Sequence, residues 1–256
     1  MSSVSALSDR LRSGSPVLSA WCGIPEPAVA GLLAREGFDA VTLDMQHGAV
    51  DLAAAIRALP LVAAAGKPAL VRVPVGEFAT ASRILDAGAA AVIAPMINTV
   101  EDARRFASFM KYPPLGERSW GPHGALALAG LQPADYLAKA NGLAVSLAMI
   151  ETREALSLID EILAVPGLDG IFLGPSDLSI ALSSGASIDP FMAEVDHALD
   201  HAHARARAAE KFVGVYAATG ERASQFLKKR FDFVAVASDT FLLRSGAQAV
   251  LKAARS

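Results

Sequence analysis

Eight short apolar runs, each followed by a segment with helical spacing, constrain what this chain can fold into more than any single motif does. They fall at residues 17–21, 40–43, 69–73, 91–94, 145–150, 170–173, 213–216 and 233–236. Most are apolar on both faces rather than alternating, as in a parallel sheet covered by helices. Between them, segments such as 25–35, 52–65, 79–87, 100–110, 153–164, 191–209 and 220–229 carry alanine-rich helical patterns. Three runs share an introduction, with Asp39, Asp169 and Asp232 each standing in a small loop between a helix end and a buried strand. Eight strands in βα alternation predict a closed (β/α)8 TIM barrel, with a doubly wound open sheet as the alternative. No linker-like or low-complexity stretch interrupts the pattern, so one domain over residues 1–256 is expected. The one long connection, residues 98–143, has a turn-rich centre from Tyr112 to Pro122. A loop of that length is usually functional, as a lid or a subunit contact.

Bulk properties narrow the partners. With 53% hydrophobic and 19% charged residues, a large core is easily built. A net charge of −3 argues against a nucleic-acid surface. The single cysteine, Cys22, excludes an intramolecular disulfide and fits a reducing compartment. The N-terminal residues are polar, without the apolar stretch of a signal peptide. No run approaches the ~20 apolar residues that span a bilayer. A soluble, cytoplasmic protein is expected.

In such a barrel, chemistry is built at the carboxyl ends of the strands. Those ends carry Trp21, Asp44 with His47, Arg72, Glu151, and Ser176 with Asp177. Glu151 and Asp177 follow neighbouring strands, and paired carboxylates suit a hard divalent cation that keeps water or substrate oxygens as its other ligands. Their structural alternative is helix capping. Arg72 lies within an apolar strand and must meet an anion, either a substrate or a structural partner such as Asp44 or Glu151. His47, near a carboxylate and a metal candidate, is a candidate general base. The backbone N–H groups after Pro175 make a pocket for a small carboxylate. His197, His201 and His203 fit a solvated helix face better than a metal site. All seven lysines avoid the predicted strand ends, which argues against a Schiff-base mechanism. Cys22 reads as a small core residue.

The segments Asp44-Met45-Gln46-His47-Gly48, Val71-Arg72-Val73-Pro74, Leu85-Asp86-Ala87-Gly88 with Ala94-Pro95-Met96, Ile150-Glu151-Thr152-Arg153-Glu154-Ala155 and Gly174-Pro175-Ser176-Asp177-Leu178-Ser179 resemble the HpcH/HpaI aldolase family, in order and over nearly the whole chain. The resemblance implies a metal-dependent class II pyruvate aldolase on a TIM barrel. It cleaves 4-hydroxy-2-oxo acids reversibly to pyruvate, or a close analogue such as hydroxypyruvate, and an aldehyde, through a metal-bound enolate. Glu151 and Asp177 would hold Mg²⁺, Mn²⁺ or Co²⁺, with no organic cofactor. Arg72 would polarise the keto oxygen, and His47, supported by Asp44, would move the proton. Ser176 and Asp177 would hold the substrate carboxylate and Trp21 would line the pocket. Arg118 and His123 are expected to influence the aldehyde partner. The family's assembly implies a homo-oligomer, trimer or hexamer, with C-terminal helices exchanged between subunits. Two departures are Gln46, where many relatives have Glu, and Met149, where many have Gln. Competing readings are an acyl-CoA lyase of the citrate or malyl-CoA type, which needs a basic groove, and a non-catalytic barrel that binds a small acid.

Overall fold

Eight parallel strands close on themselves in the computed structural model, which describes residues 2–256. They are β1 (Val17–Cys22), β2 (Ala40–Asp44), β3 (Ala69–Arg72), β4 (Ala91–Ala94), β5 (Val145–Ile150), β6 (Gly170–Leu173), β7 (Phe212–Ala217) and β8 (Phe233–Ser238). Each pairs with the next in sequence, and β8 returns to β1. The open sheet is thereby excluded.

Side chains alternate between the two faces of each strand. Val17, Leu70, Ile93, Leu147, Met149, Phe172 and Phe233 belong to one buried cluster, the filling of the barrel. Val41, Leu43, Val71, Val92, Ile171, Val215 and Val234 belong to the other, packed against the helices. Neither face is wet, which is why the runs read as continuous apolar stretches. Counting by twos along the interior face arrives, at the carboxyl ends, at Trp21, Asp44, Arg72, Glu151 and Tyr216. Strand parity alone therefore points these side chains at one mouth. Gly214 makes room for the filling, since a Cβ there would stand 2.7 Å from the Phe172 ring.

The opposite, amino-terminal end is plugged. Leu7 and Leu11 of the helix Ser3–Arg12 join the interior cluster. The three repeated aspartates also lie at this end and bind the preceding strand. Asp39 accepts from the Leu18 N–H at 3.0 Å, Asp169 from Ser146 at 2.8 Å and Asp232 from Val213 at 2.8 Å.

The long connection differs from expectation. Most of it is helical, as Val100–Met110, His123–Ala129 and Pro133–Leu143. Its turn-rich centre sits at the plugged end, because Lys111 donates to the Ala144 carbonyl at 2.6 Å and to Asp169 at 2.6 Å, both just ahead of strands. It is no lid over the mouth of its own barrel. The C-terminal helix, Asp239–Ala254, buries only its first residue and exposes Phe241, Leu243, Val250 and Leu251. Among the described residues, no helix is long and apolar enough to cross a membrane.

Candidate active site

The carboxyl ends of the strands enclose a cavity of about 400 Å³. Trp21, Asp44, His47, Arg72, Ser176 and Asp177 all line it, so four separated sequence segments converge. Met149, Phe172, Tyr216, Ser238, Asp239 and Thr240 also line it. Of these, the sequence reading singled out only Met149, as a departure from relatives, and gave the other five no part in the site. Phe172 and Tyr216 were detectable from strand parity, whereas Asp239, at the end of the last strand, carried no local signal beyond its position.

Arg72 and Asp44 form the rigid part. Arg72 donates from Nε to Asp44 Oδ1 at 2.8 Å and from Nη2 to Oδ2 at 2.7 Å, a two-pronged pair. Its Nη1 has only the Met149 sulfur at 3.9 Å. The guanidinium lies 4.8 Å from the Trp21 ring centre. One edge of Arg72 is thus a structural ion pair, one of the two readings, and Nη1 meets no oxygen among the described residues. Burial by itself would raise the Asp44 carboxyl. The Arg72 hydrogen bonds and charge, with smaller help from the Gln46 N–H and the Trp21 indole, outweigh it and hold the group below the usual carboxylate range. Trp21 donates from Nε1 to Asp44 Oδ2 at 3.1 Å and packs on Phe172 and Tyr216.

This arrangement corrects the expected support of His47 by Asp44. The carboxylate oxygens are committed to Arg72, Trp21 and backbone, and Asp44 meets His47 only through the main-chain N–H, at 3.4 Å. The imidazole is exposed at the cavity wall.

Glu151 and Asp177 come together as expected from neighbouring strands. Glu151 is 1% exposed and lies under the cavity wall. Its Oε2 accepts from the Met96 N–H at 2.9 Å. Met96 holds a left-handed backbone at φ 53°, a strained conformation for a residue with a side chain. Burial pushes the Glu151 carboxyl up to about 7, and the adjacent Asp177 carboxyl adds to the rise against the Met96 N–H and Arg72. Two carboxylates crowded into one low-dielectric spot share a proton or gather a cation. Asp177 and Ser176 lie in the first turn of the helix Pro175–Leu182, which no side chain caps.

Three expectations concern residues elsewhere. Arg118 is buried at the plugged end, paired with Asp86 at 2.7 Å and stacked 4.6 Å from the Tyr112 ring. His123 starts a helix beside it. Neither reaches the cavity of its own chain, because the connection carrying them turns back beneath the barrel. Cys22 is 1% exposed, and burial, with the nearby Asp239 charge, pushes its thiol up, as suits an inert core residue. Among the described residues, no group of three or more His, Cys, Asp or Glu side chains could hold a metal, so the donors here number two.

Comparison with known proteins finds relatives over nearly the whole chain. Residues 19–246 match the family model described as HpcH/HpaI aldolase/citrate lyase. A hydroxypyruvate/pyruvate aldolase from Rhizorhabdus wittichii is 42% identical, over 95% of this chain and 96% of its own. A 4-hydroxy-2-oxo-heptane-1,7-dioate aldolase from Salmonella dublin is 35% identical, over 96% of this chain and 92% of its own. The crystal structure of an HpcH/HpaI aldolase from Desulfitobacterium hafniense superposes with a TM-score of 0.89 at 25% identity, covering 98% of this chain and 96% of that one.

Proposed function

This chain belongs to the HpcH/HpaI aldolase/citrate lyase family, and on that premise we propose how its cavity cleaves a 4-hydroxy-2-oxo acid into pyruvate, or hydroxypyruvate, and an aldehyde. The chain is a carbon–carbon lyase of the class II aldolase kind. The observation that carries the residue assignment is the crowding of Glu151 against Asp177 beside the free edge of Arg72.

The donor set fits a divalent metal, Mg²⁺, Mn²⁺ or Co²⁺. Two carboxylates supply hard oxygen ligands and leave several positions for water or substrate. A metal held by Glu151 and Asp177 would act as a Lewis acid on a keto oxygen. Arg72 donates from Nη1 to that oxygen, in an orientation that Asp44 has already fixed, and offsets the negative charge that grows there as the C3–C4 bond breaks. The free N–H groups at Ser176 and Asp177 receive the substrate carboxylate at a helix N-terminus. His47 carries the proton to or from C3. Trp21 and Phe172 supply the apolar wall. Among the described residues, Arg72 is the only Lys or Arg in the cavity wall, which offers nothing for the phosphates of an acyl-CoA.

The test is pyruvate release from a panel of 4-hydroxy-2-oxo acids, before and after stripping with a chelator. Release should vanish on stripping and return with Mn²⁺ or Mg²⁺. Undiminished release in chelator would sink the metal assignment.

A further inference from the structure

One cavity residue has no part in the reaction above. Asp239 is 1% exposed, and among the described residues no cation pairs with it. Three backbone N–H groups hold its carboxylate instead. Oδ2 accepts from Gly23 at 2.9 Å and Ile24 at 2.8 Å, and Oδ1 from Thr240 at 2.8 Å. A buried carboxylate needs such compensation, and hydrogen bonds to an ionised acceptor are the stronger kind. A break in strand pairing brings it there. β8 sets Val236 beside Ala20 but Ser238 beside Trp21, skipping Ala237, whose φ is 51°. Bulges of this sort re-aim the residues that follow.

The contact continues beyond Gly23. The Gly23 carbonyl accepts from the Ala49 N–H at 2.9 Å, in the loop that carries His47. The two loops touch because residue 48 is glycine. A Cβ there would stand 2.7 Å from the Gly23 Cα and 2.4 Å from the Asp44 carbonyl oxygen. On the other flank, Asp44 Oδ1 accepts from Gln46 N–H at 3.1 Å. Among the described residues the His47 ring has no hydrogen-bond partner, so its position is inherited from its backbone. That backbone is held by Asp44 on one side and, through Gly23, by Asp239 on the other.

We propose that Asp239 is a positioning residue for His47, acting through Gly23 and Ala49. The proposal rests on the aldolase reading for the role of His47. Its test is exchange of pyruvate methyl protons for deuterium, without aldehyde and with Mn²⁺ supplied, followed by NMR. In that exchange the C3 proton passes to the imidazole, the C–H electron pair enters the C2–C3 bond, and a solvent deuteron returns to C3. Asp239→Ala should lower the exchange kcat by about tenfold or more, with KM for pyruvate held within about twofold. Asp239→Asn keeps a carbonyl oxygen for Gly23 and Ile24 and should recover most of the rate. Added to His47→Ala, Asp239→Ala should cost nothing further, because both act on one step. A multiplied loss in that double variant, or a change in KM alone, overturns the proposal. Backbone amide exchange of residues 45–50, read by mass spectrometry without substrate, should quicken in Asp239→Ala; unchanged protection also overturns it. Should the alanine variant fail to fold, the asparagine variant decides, and a rate as low as that of His47→Ala overturns the proposal. Wild-type enzyme that exchanges no pyruvate protons refutes the aldolase role of His47 instead, while the amide measurement still reads the contact.

Discussion

Glu151 is the side chain on which the protonation of the site turns. Burial and Asp177 raise its carboxyl from an ordinary 4.5 to about 7. A raised carboxyl binds its proton more tightly folded than unfolded. Below about pH 4.5 both states are protonated and the group costs nothing; between there and about 7 the unfolded state alone has ionised, and stability falls. Metal-free protein should therefore lose stability as pH rises through this window, whereas Glu151→Gln should lack that slope. Denaturant midpoints at pH 5 and pH 7.5 in chelator check it, and identical slopes for the two proteins would count against the buried pair. The same proton competes with a cation, so metal affinity should weaken as pH falls below 7. The identity of both acids was legible in the sequence because each ends an apolar run. The raised proton affinity of Glu151 was not, since it comes from burial and from the Asp177 carboxylate, against the pull of a Met96 amide contributed by another strand end.

At the scale of elements, the repeated aspartate is instructive. Its recurrence ahead of strands is visible in the chain, but its task is not. Asp39, Asp169 and Asp232 each reach sideways to the first N–H groups of the neighbouring strand, helping to set the register of three strand pairs. Asp232 is 7% exposed and also accepts from Arg207 at 2.9 Å. Asp232→Ala leaves the buried Val213 N–H unpaired and should cost about 1–3 kcal/mol. Asp160→Ala, which breaks only the exposed pair with Arg205, should leave the unfolding midpoint unchanged. Urea titrations of the two variants separate these outcomes. The connection from residue 98 to 143 shows the opposite case. Its turn residues announced irregular backbone, yet nothing local tells which face of the barrel the segment will cross. Burial of Lys111 between Ala144, Asn141 and Asp169 decides that.

For the molecule as a whole, the C-terminal helix is unfinished. Sixteen residues with Phe241, Leu243, Val250 and Leu251 exposed do not hold an isolated helix stably in water. Exposed apolar side chains of this number suit an association surface, and we propose a second copy of the chain, in a trimer or hexamer, as the partner. Phe241→Ser with Leu243→Ser should shift the particle mass towards monomer in light scattering. An unshifted mass would remove this helix from the assembly.

What the chain determines by itself is the alternation of strands and helices and the side chains presented at the strand ends; that the strands close into a barrel and not an open sheet is decided by the tertiary structure. The first two follow from short continuous apolar runs and from local helix signals, which act over a few residues. Tertiary structure alone decides how those side chains divide their work. It commits Asp44 to Arg72 and not to the His47 ring, sends Arg118 and His123 beneath the barrel, and brings Asp239 against Gly23 across 216 residues of sequence. Such contacts depend on which oxygen faces which donor after the barrel has closed, and closure is a property of all eight strands together.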